Sequence, residues 1–317
     1  MTETVHNLGS LFFGIILPII ATTLFGFVLD RRFHVDLATL VRLNLYVFVP
    51  AFIFVRLIES TVPTALGFRA VGFTLTMIGI MALLSWLVAA ITRIDPPARK
   101  ALQLSTMFYN SGNYGIPLMT LAFAPLGPVL QAFVLMTMNI STFTIGLWLA
   151  ASQNHDRTQG WWRPLLPVLR QPSIYAIALA LTIKAMGLED EISSIAPIWK
   201  PLGYLGDGLV GFALLTLGVQ LNQTKPPPIR GNLALALAIR LLAAPLIAAG
   251  LVQVFRFEWE VARILILSTS VPTAVNTALL AHEYKADGRF ASAVVFYSTI
   301  FSAITVTIVL FILKSVQ

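Results

Sequence analysis

Asn110-Ser-Gly-Asn-Tyr-Gly-Ile-Pro117 and Val271-Pro-Thr-Ala-Val-Asn276 are the stretches of this chain whose residue types could do chemistry. Each sets carboxamides beside helix breakers inside an apolar run. Proline withholds an N–H and clashes with the preceding turn, at about 3 kcal/mol in a helix interior, and Gly112 and Gly115 weaken the helix further. In hydrocarbon a freed backbone group costs several kcal/mol, so unwound chain persists only where it is buried in protein or lines a wet cavity. Broken helices expose N–H groups and positive dipole ends, which favour an anion. Asn110, Asn113 and Asn276 add carboxamides that donate and accept without carrying charge. The chemistry this predicts is reversible binding of a carboxylate, with Asn110, Gly112, Asn113, Tyr114 and Pro117 at the first break and Val271, Pro272 and Asn276 at the second.

The two breaks are related by a fixed offset. Leu102-Gln-Leu-Ser-Thr106 and Leu265-Ile-Leu-Ser-Thr269 lie 163 positions apart, and the same shift lays Asn113 on Asn276, Thr142 on Thr305 and Thr144 on Thr307. Apolar coincidences are cheap in such a chain, but these polar pairs are not. They predict a duplicated unit of five helices near 8–151 and 172–313. Since five is odd, the second copy enters the membrane from the opposite side, an inverted repeat with the binding site at the bilayer midplane. The competing reading is chance alignment of low-complexity helices.

The elements that must position these residues follow from composition. With 57% hydrophobic and 11% charged residues and a mean hydropathy of +0.83, the chain prefers lipid to water. A spanning helix takes roughly 20 mainly apolar residues. Ten such runs are legible, near 8–29, 37–57, 69–92, 99–124, 127–151, 172–188, 200–221, 232–255, 261–283 and 289–313. They are apolar on all faces, which excludes the alternating pattern of barrel strands. The predicted fold is an all-α membrane protein of ten transmembrane helices, with repeats at 1–151 and 172–317 joined by a polar cytoplasmic linker at 152–171. In that linker Trp161 and Trp162 beside Arg163 and Arg170 suit the headgroup region. The first run is long enough to span and lacks a basic leader, so it reads as a first helix, not a cleaved signal.

The net charge of +7 comes from bases in loops and calls for no nucleic-acid partner. With the N-terminus outside, thirteen of the 21 Lys and Arg fall in inner loops and seven in outer ones. Both termini are therefore expected on the non-cytoplasmic side of the cell (inner) membrane. There is no cysteine, hence neither disulfide nor thiolate metal site.

Charges inside the runs are few. Asp207, which the offset places opposite Asn44, reads as a proton-binding carboxylate, a partner for a base or an outer-vestibule residue; Asn44 and Asp207 are each candidate coupling or support residues. Arg240 is expected to snorkel to the inner surface or to attract an anion on its way in. Lys184 is expected to snorkel outward, and His282 to be a solvated cap. Ser141, Thr142, Thr144, Ser302, Thr305 and Thr307 are expected to pack or bond back to carbonyls. An intramembrane enzyme finds little support: no His-Glu-x-x-His cluster, no second deep aspartate beside Asp207 and no histidine base near Ser111. No phosphate-binding glycine loop suggests ATP hydrolysis, and no cofactor or metal is called for. A membrane sensor that binds without translocating remains open.

Asn110-Ser-Gly-Asn-Tyr-Gly-Ile-Pro-Leu118, the later Val-Pro-Thr-Ala-Val-Asn276 and the five-plus-five layout resemble the auxin efflux carrier family, which includes plant PIN-type carriers and bacterial malate or malonate permeases. The short linker suits a prokaryotic member. The resemblance implies a scaffold of spans one, two, six and seven and a transport domain of spans three to five and eight to ten, with spans four and nine crossing at their breaks. It implies that Asn113 and Asn276 contact a substrate carboxylate, with Pro117 and Pro272 as the crossing prolines. It also implies a homodimer through the scaffolds and an elevator motion moving a small organic anion. The related bile-acid-type sodium symporters bring acidic residues to their ion sites. Residues 101–124 and 262–281 contain no Asp or Glu, which disfavours sodium coupling, although hydroxyls and carbonyls at Ser105 and Thr106 could still hold an ion.

Overall fold

A computed structural model describes residues 9–151, 169–224 and 231–316. Most of the linker, including Trp161, Trp162 and Arg163, lies outside the described residues. The described chain is helical: α1 Gly9–Phe33, α2 Leu37–Ile58, α3 Thr64–Ile91, α4 Pro96–Met107, α5 Ile116–Phe123, α6 Leu126–Ala151, α7 Pro172–Met186, α8 Glu189–Ser194, α9 Ala196–Gln223, α10 Asn232–Val254, α11 Trp259–Thr269, α12 Asn276–Glu283 and α13 Gly288–Ser315. Seven of these, α1, α2, α3, α6, α9, α10 and α13, are long and apolar enough to cross a membrane, and α7 is apolar but shorter. The runs near 99–124 and 261–283 are each divided, into α4 and α5 and into α11 and α12.

Local chemistry sets the boundaries. Asp36 caps α2 by accepting from the Thr39 N–H, and Asp287 caps α13 by accepting from Phe290, each satisfying a donor that a helix start leaves orphaned. Gly187 ends α7 in the left-handed conformation at φ 68°, where a side chain would be strained.

Proline writes a second pattern. Five π-helical turns interrupt the described helices, and in four of them (Phe12–Ile16, Asn44–Phe48, Ser111–Gly115 and Ile239–Ala243) a proline follows two positions after the turn, at Pro18, Pro50, Pro117 and Pro245. A proline cannot donate to the turn before it, and widening that turn relieves the clash. Pro117 is therefore a helix starter, in the first turn of α5, where its missing N–H costs nothing.

Helix α1 packs along α9, backbone to backbone at Gly26 and Gly218, and α2 packs on both α7 and α9. Phe48 of α2 stacks on Phe212 of α9 with ring centroids 4.3 Å apart. On the other side α4 lies against α3, α12 and α13, and α6 against α3 and α5. Large apolar side chains such as Phe25, Tyr204 and Leu246 stay exposed on outer faces, as a lipid-facing surface requires.

Candidate functional site at the paired helix breaks

The two interrupted runs meet at their interruptions. Tyr109 and Thr273 form an isolated antiparallel bridge, in which the Asn110 N–H donates to the Pro272 carbonyl at 2.8 Å and the Ala274 N–H to the Phe108 carbonyl at 3.0 Å. Each break thus satisfies backbone groups the other has freed, the accounting that low-dielectric surroundings enforce.

The carbonyls at the end of α4 are accounted for one by one. Leu104 O accepts from the Phe108 N–H, Ser105 O from the Thr273 hydroxyl at 2.8 Å, and Thr106 O from the Arg240 guanidinium at 3.0 Å. Arg240 also donates to Thr269 O at the end of α11. Thr106 and Thr269 are the pair related by the 163-residue offset, so one cation caps equivalent carbonyls of both helices. Arg240 is fully buried, its guanidinium 5.0 Å from the centre of the Tyr109 ring. It does not snorkel, which corrects the sequence expectation. Two negative helix ends solvate its charge better than the surface would, and the π turn Ile239–Ala243 from which it projects frees it from regular helical packing.

The remaining predicted residues divide. Asn110 and Asn113 come together: the Asn113 N–H donates to Asn110 Oδ1 at 3.1 Å, which makes Asn110 the cap of the Ser111–Gly115 turn. Asn44, opening its own π turn in α2, donates through Nδ2 to Asn113 Oδ1. Gly112, Asn113 and Asn276 are half-buried, whereas Tyr114, Pro117, Val271 and Pro272 are buried. The Asn276 side chain opens α12 at the second break without a hydrogen bond of its own among those described. Asp207 is elsewhere. It accepts from Arg56 at 2.7 Å, and its side chain is 71% exposed, so it is the partner of a base at an exposed position. Lys184 donates to Ser60 O at 2.5 Å. Thr144, Ser302 and Thr307 bond back to carbonyls of their own helices.

Sequence reasoning missed Gln131. Fully buried in α6, it donates to Ser111 O at 2.7 Å and accepts from the Ser268 hydroxyl at 2.7 Å, tying one break to the helix that leads into the other. Gly115 makes room, since a Cβ there would lie 2.3 Å from Gln131 Nε2. Glutamine inside an apolar run was the available signal. Gln131→Leu is expected to lower stability by about 1–3 kcal/mol, the cost of orphaning two buried groups, read as a lower unfolding midpoint of the purified protein. Equal midpoints would make this bridge ornamental. Ser298 was also missed; its hydroxyl accepts from the Thr273 N–H at 3.1 Å.

A cavity of about 950 Å³ lies away from the breaks, lined by Glu59, Ser60, Lys184, Glu189 and Asp190 among others. None of its lining residues belongs to either break.

Residues 164–310, which carry α11, the second break and α12, match the family described as Membrane transport protein. The chain as a whole is also similar to an "Uncharacterized transporter" of Methanothermobacter thermautotrophicus, 25% identical over 294 residues that cover 92% of this chain and 94% of the relative. The similarity to a transporter therefore reaches both breaks. With seven helices long and apolar enough to span among the described residues, the chain is an integral membrane protein, and both similarities are to membrane transport proteins.

Proposed function

We propose that the chain is a secondary transporter of small organic acid anions, carboxylates of auxin-like or malate- and malonate-like size. One observation carries this reading: two interrupted helices pair at their breaks, and the half-buried carboxamides of Asn113 and Asn276 stand at the helix starts that follow them. Helix-start N–H groups with neutral amide donors beside them favour an anion and still let it leave, because no permanent salt bridge forms.

In this reading the ten runs form the inverted repeat. The scaffold is built from α1, α2, α7 and α9, and the moving part from α3 to α6 and α10 to α13. Supporting it, the hydrogen bond from Asn44 to Asn113 crosses from the first group to the second and is the kind of contact an elevator step must break. Dimerisation through the scaffold and non-cytoplasmic termini belong to the same proposal. A sensor is the second reading, and it would bind the same anions without moving them.

The test is a panel of mono- and dicarboxylates, scored first for thermal stabilisation of the purified protein and then for anion-dependent current in proteoliposomes. A ligand at about 100 times its Kd should stabilise by about 2.7 kcal/mol. Stabilisation with current supports a carrier, stabilisation without flux supports the sensor, and a response confined to cations or sugars rejects the anion site.

A further inference from the structure

The ends of α4 and α11 make an unusual set of oxygens. Thr106 O and Thr269 O, equivalent under the repeat offset, both accept from one guanidinium, and the Ser105 hydroxyl of the adjacent position is fully buried without a partner among the described residues. Carbonyls at half-helix C-termini, with a nearby hydroxyl, are the donors that hold alkali-metal ions in other broken-helix carriers. Here their place is filled from α10 by Arg240, which brings a positive charge of its own.

We propose that Arg240 is a tethered cation: it does between these two helix ends what a bound sodium ion would do, so the protein closes its breaks without sodium, and removing the side chain turns the position into a sodium site. The physical requirement is one of charge. Two negative helix ends facing each other in a buried place repel unless a cation lies between them, and both carbonyls need a donor or an ion. A covalently attached guanidinium meets both needs permanently. Its absence leaves an oxygen-lined void of the right sign, which a small hard cation can enter. Arg240→Lys keeps the charge on the same helix and should keep the void closed to ions.

The experiment uses full-length protein and no substrate, so it stands whether or not the anion reading does. Thermal unfolding is compared in sodium chloride and in choline chloride at matched ionic strength, alongside binding of radioactive sodium, for wild type, Arg240→Lys and Arg240→Ala. Wild type and Arg240→Lys should unfold at the same temperature in both salts and bind no sodium. Arg240→Ala should unfold at lower temperature in choline, recover part of the loss in sodium, and bind sodium saturably. If the alanine variant is too unstable to purify in choline, its recovery only from sodium-containing extraction supports the proposal. A sodium response in wild type or Arg240→Lys overturns it, as does Arg240→Ala that behaves alike in both salts or is recovered from neither.

Discussion

Asn113→Ala and Asn276→Ala are each expected to cut anion-dependent current in proteoliposomes by about tenfold to a hundredfold while leaving the folded protein intact. The magnitude follows from a hydrogen bond to a charged group, worth about 1.5–3 kcal/mol, at tenfold per 1.4 kcal/mol. The orientation follows from the neighbours. With the carboxamides turned as the hydrogen-bond network assigns them, Asn113 Oδ1 accepts from Asn44, so its NH₂ group is the end left to meet an anion. Asn276 has no side-chain hydrogen bond among the described residues, so its loss should cost little stability. Asn110→Ala is the informative contrast. It removes the cap on the Asn113 N–H, so it should act mainly on stability, by about 1 kcal/mol. Asn113→Asp should abolish current outright, since it sets a negative charge against the anion. Wild-type currents from both alanine variants would move the site away from the breaks.

Much of this arrangement was legible because it rests on local rules. The apolar runs announce spans, and the clustering of Asn, Gly and Pro at 110–117 and 271–276 announces breaks that lipid will not tolerate alone. What could not be read is which distant groups answer them. The carbonyls capped by Arg240 lie 134 and 29 residues from it, and position along a helix says nothing of such partners, so the default of snorkelling was the wrong inference. The partners of Asn44 and Asp207 were equally out of reach. The repeat offset relates equivalent places in two copies, which need not touch: Asn44 found Asn113, and Asp207 found Arg56. The π turns were in principle available, because Pro18, Pro50, Pro117 and Pro245 mark them, and two of these turns deliver Asn44 and Arg240 to the breaks.

Gly218→Leu is expected to abolish the folded protein, and Gly218→Ala to lower its unfolding midpoint clearly. A Cβ at position 218 would sit 1.9 Å from Thr23 O and 2.6 Å from Phe27 N, and one at position 26 would sit 2.1 Å from Leu215 O. These are backbone atoms of a facing helix, so no rotamer change relieves the clash and α1 and α9 must part along their length. Overpacking of side chains costs about 1–3 kcal/mol, and separating two backbones in contact belongs at or beyond the upper end. Membrane helices depend on such close approach because lipid supplies no hydrophobic drive for their association. The same helix carries its own control: Gly211 meets nothing within 4 Å, so Gly211→Ala should be neutral or stabilising by up to about 1 kcal/mol, the helix-propensity gain. If Gly218→Ala and Gly211→Ala unfold alike, the α1–α9 contact is not tight. If they differ as expected, any Gly218→Ala protein that still folds should lose current only in proportion to the folded fraction, because this joint lies outside the pairing of the breaks.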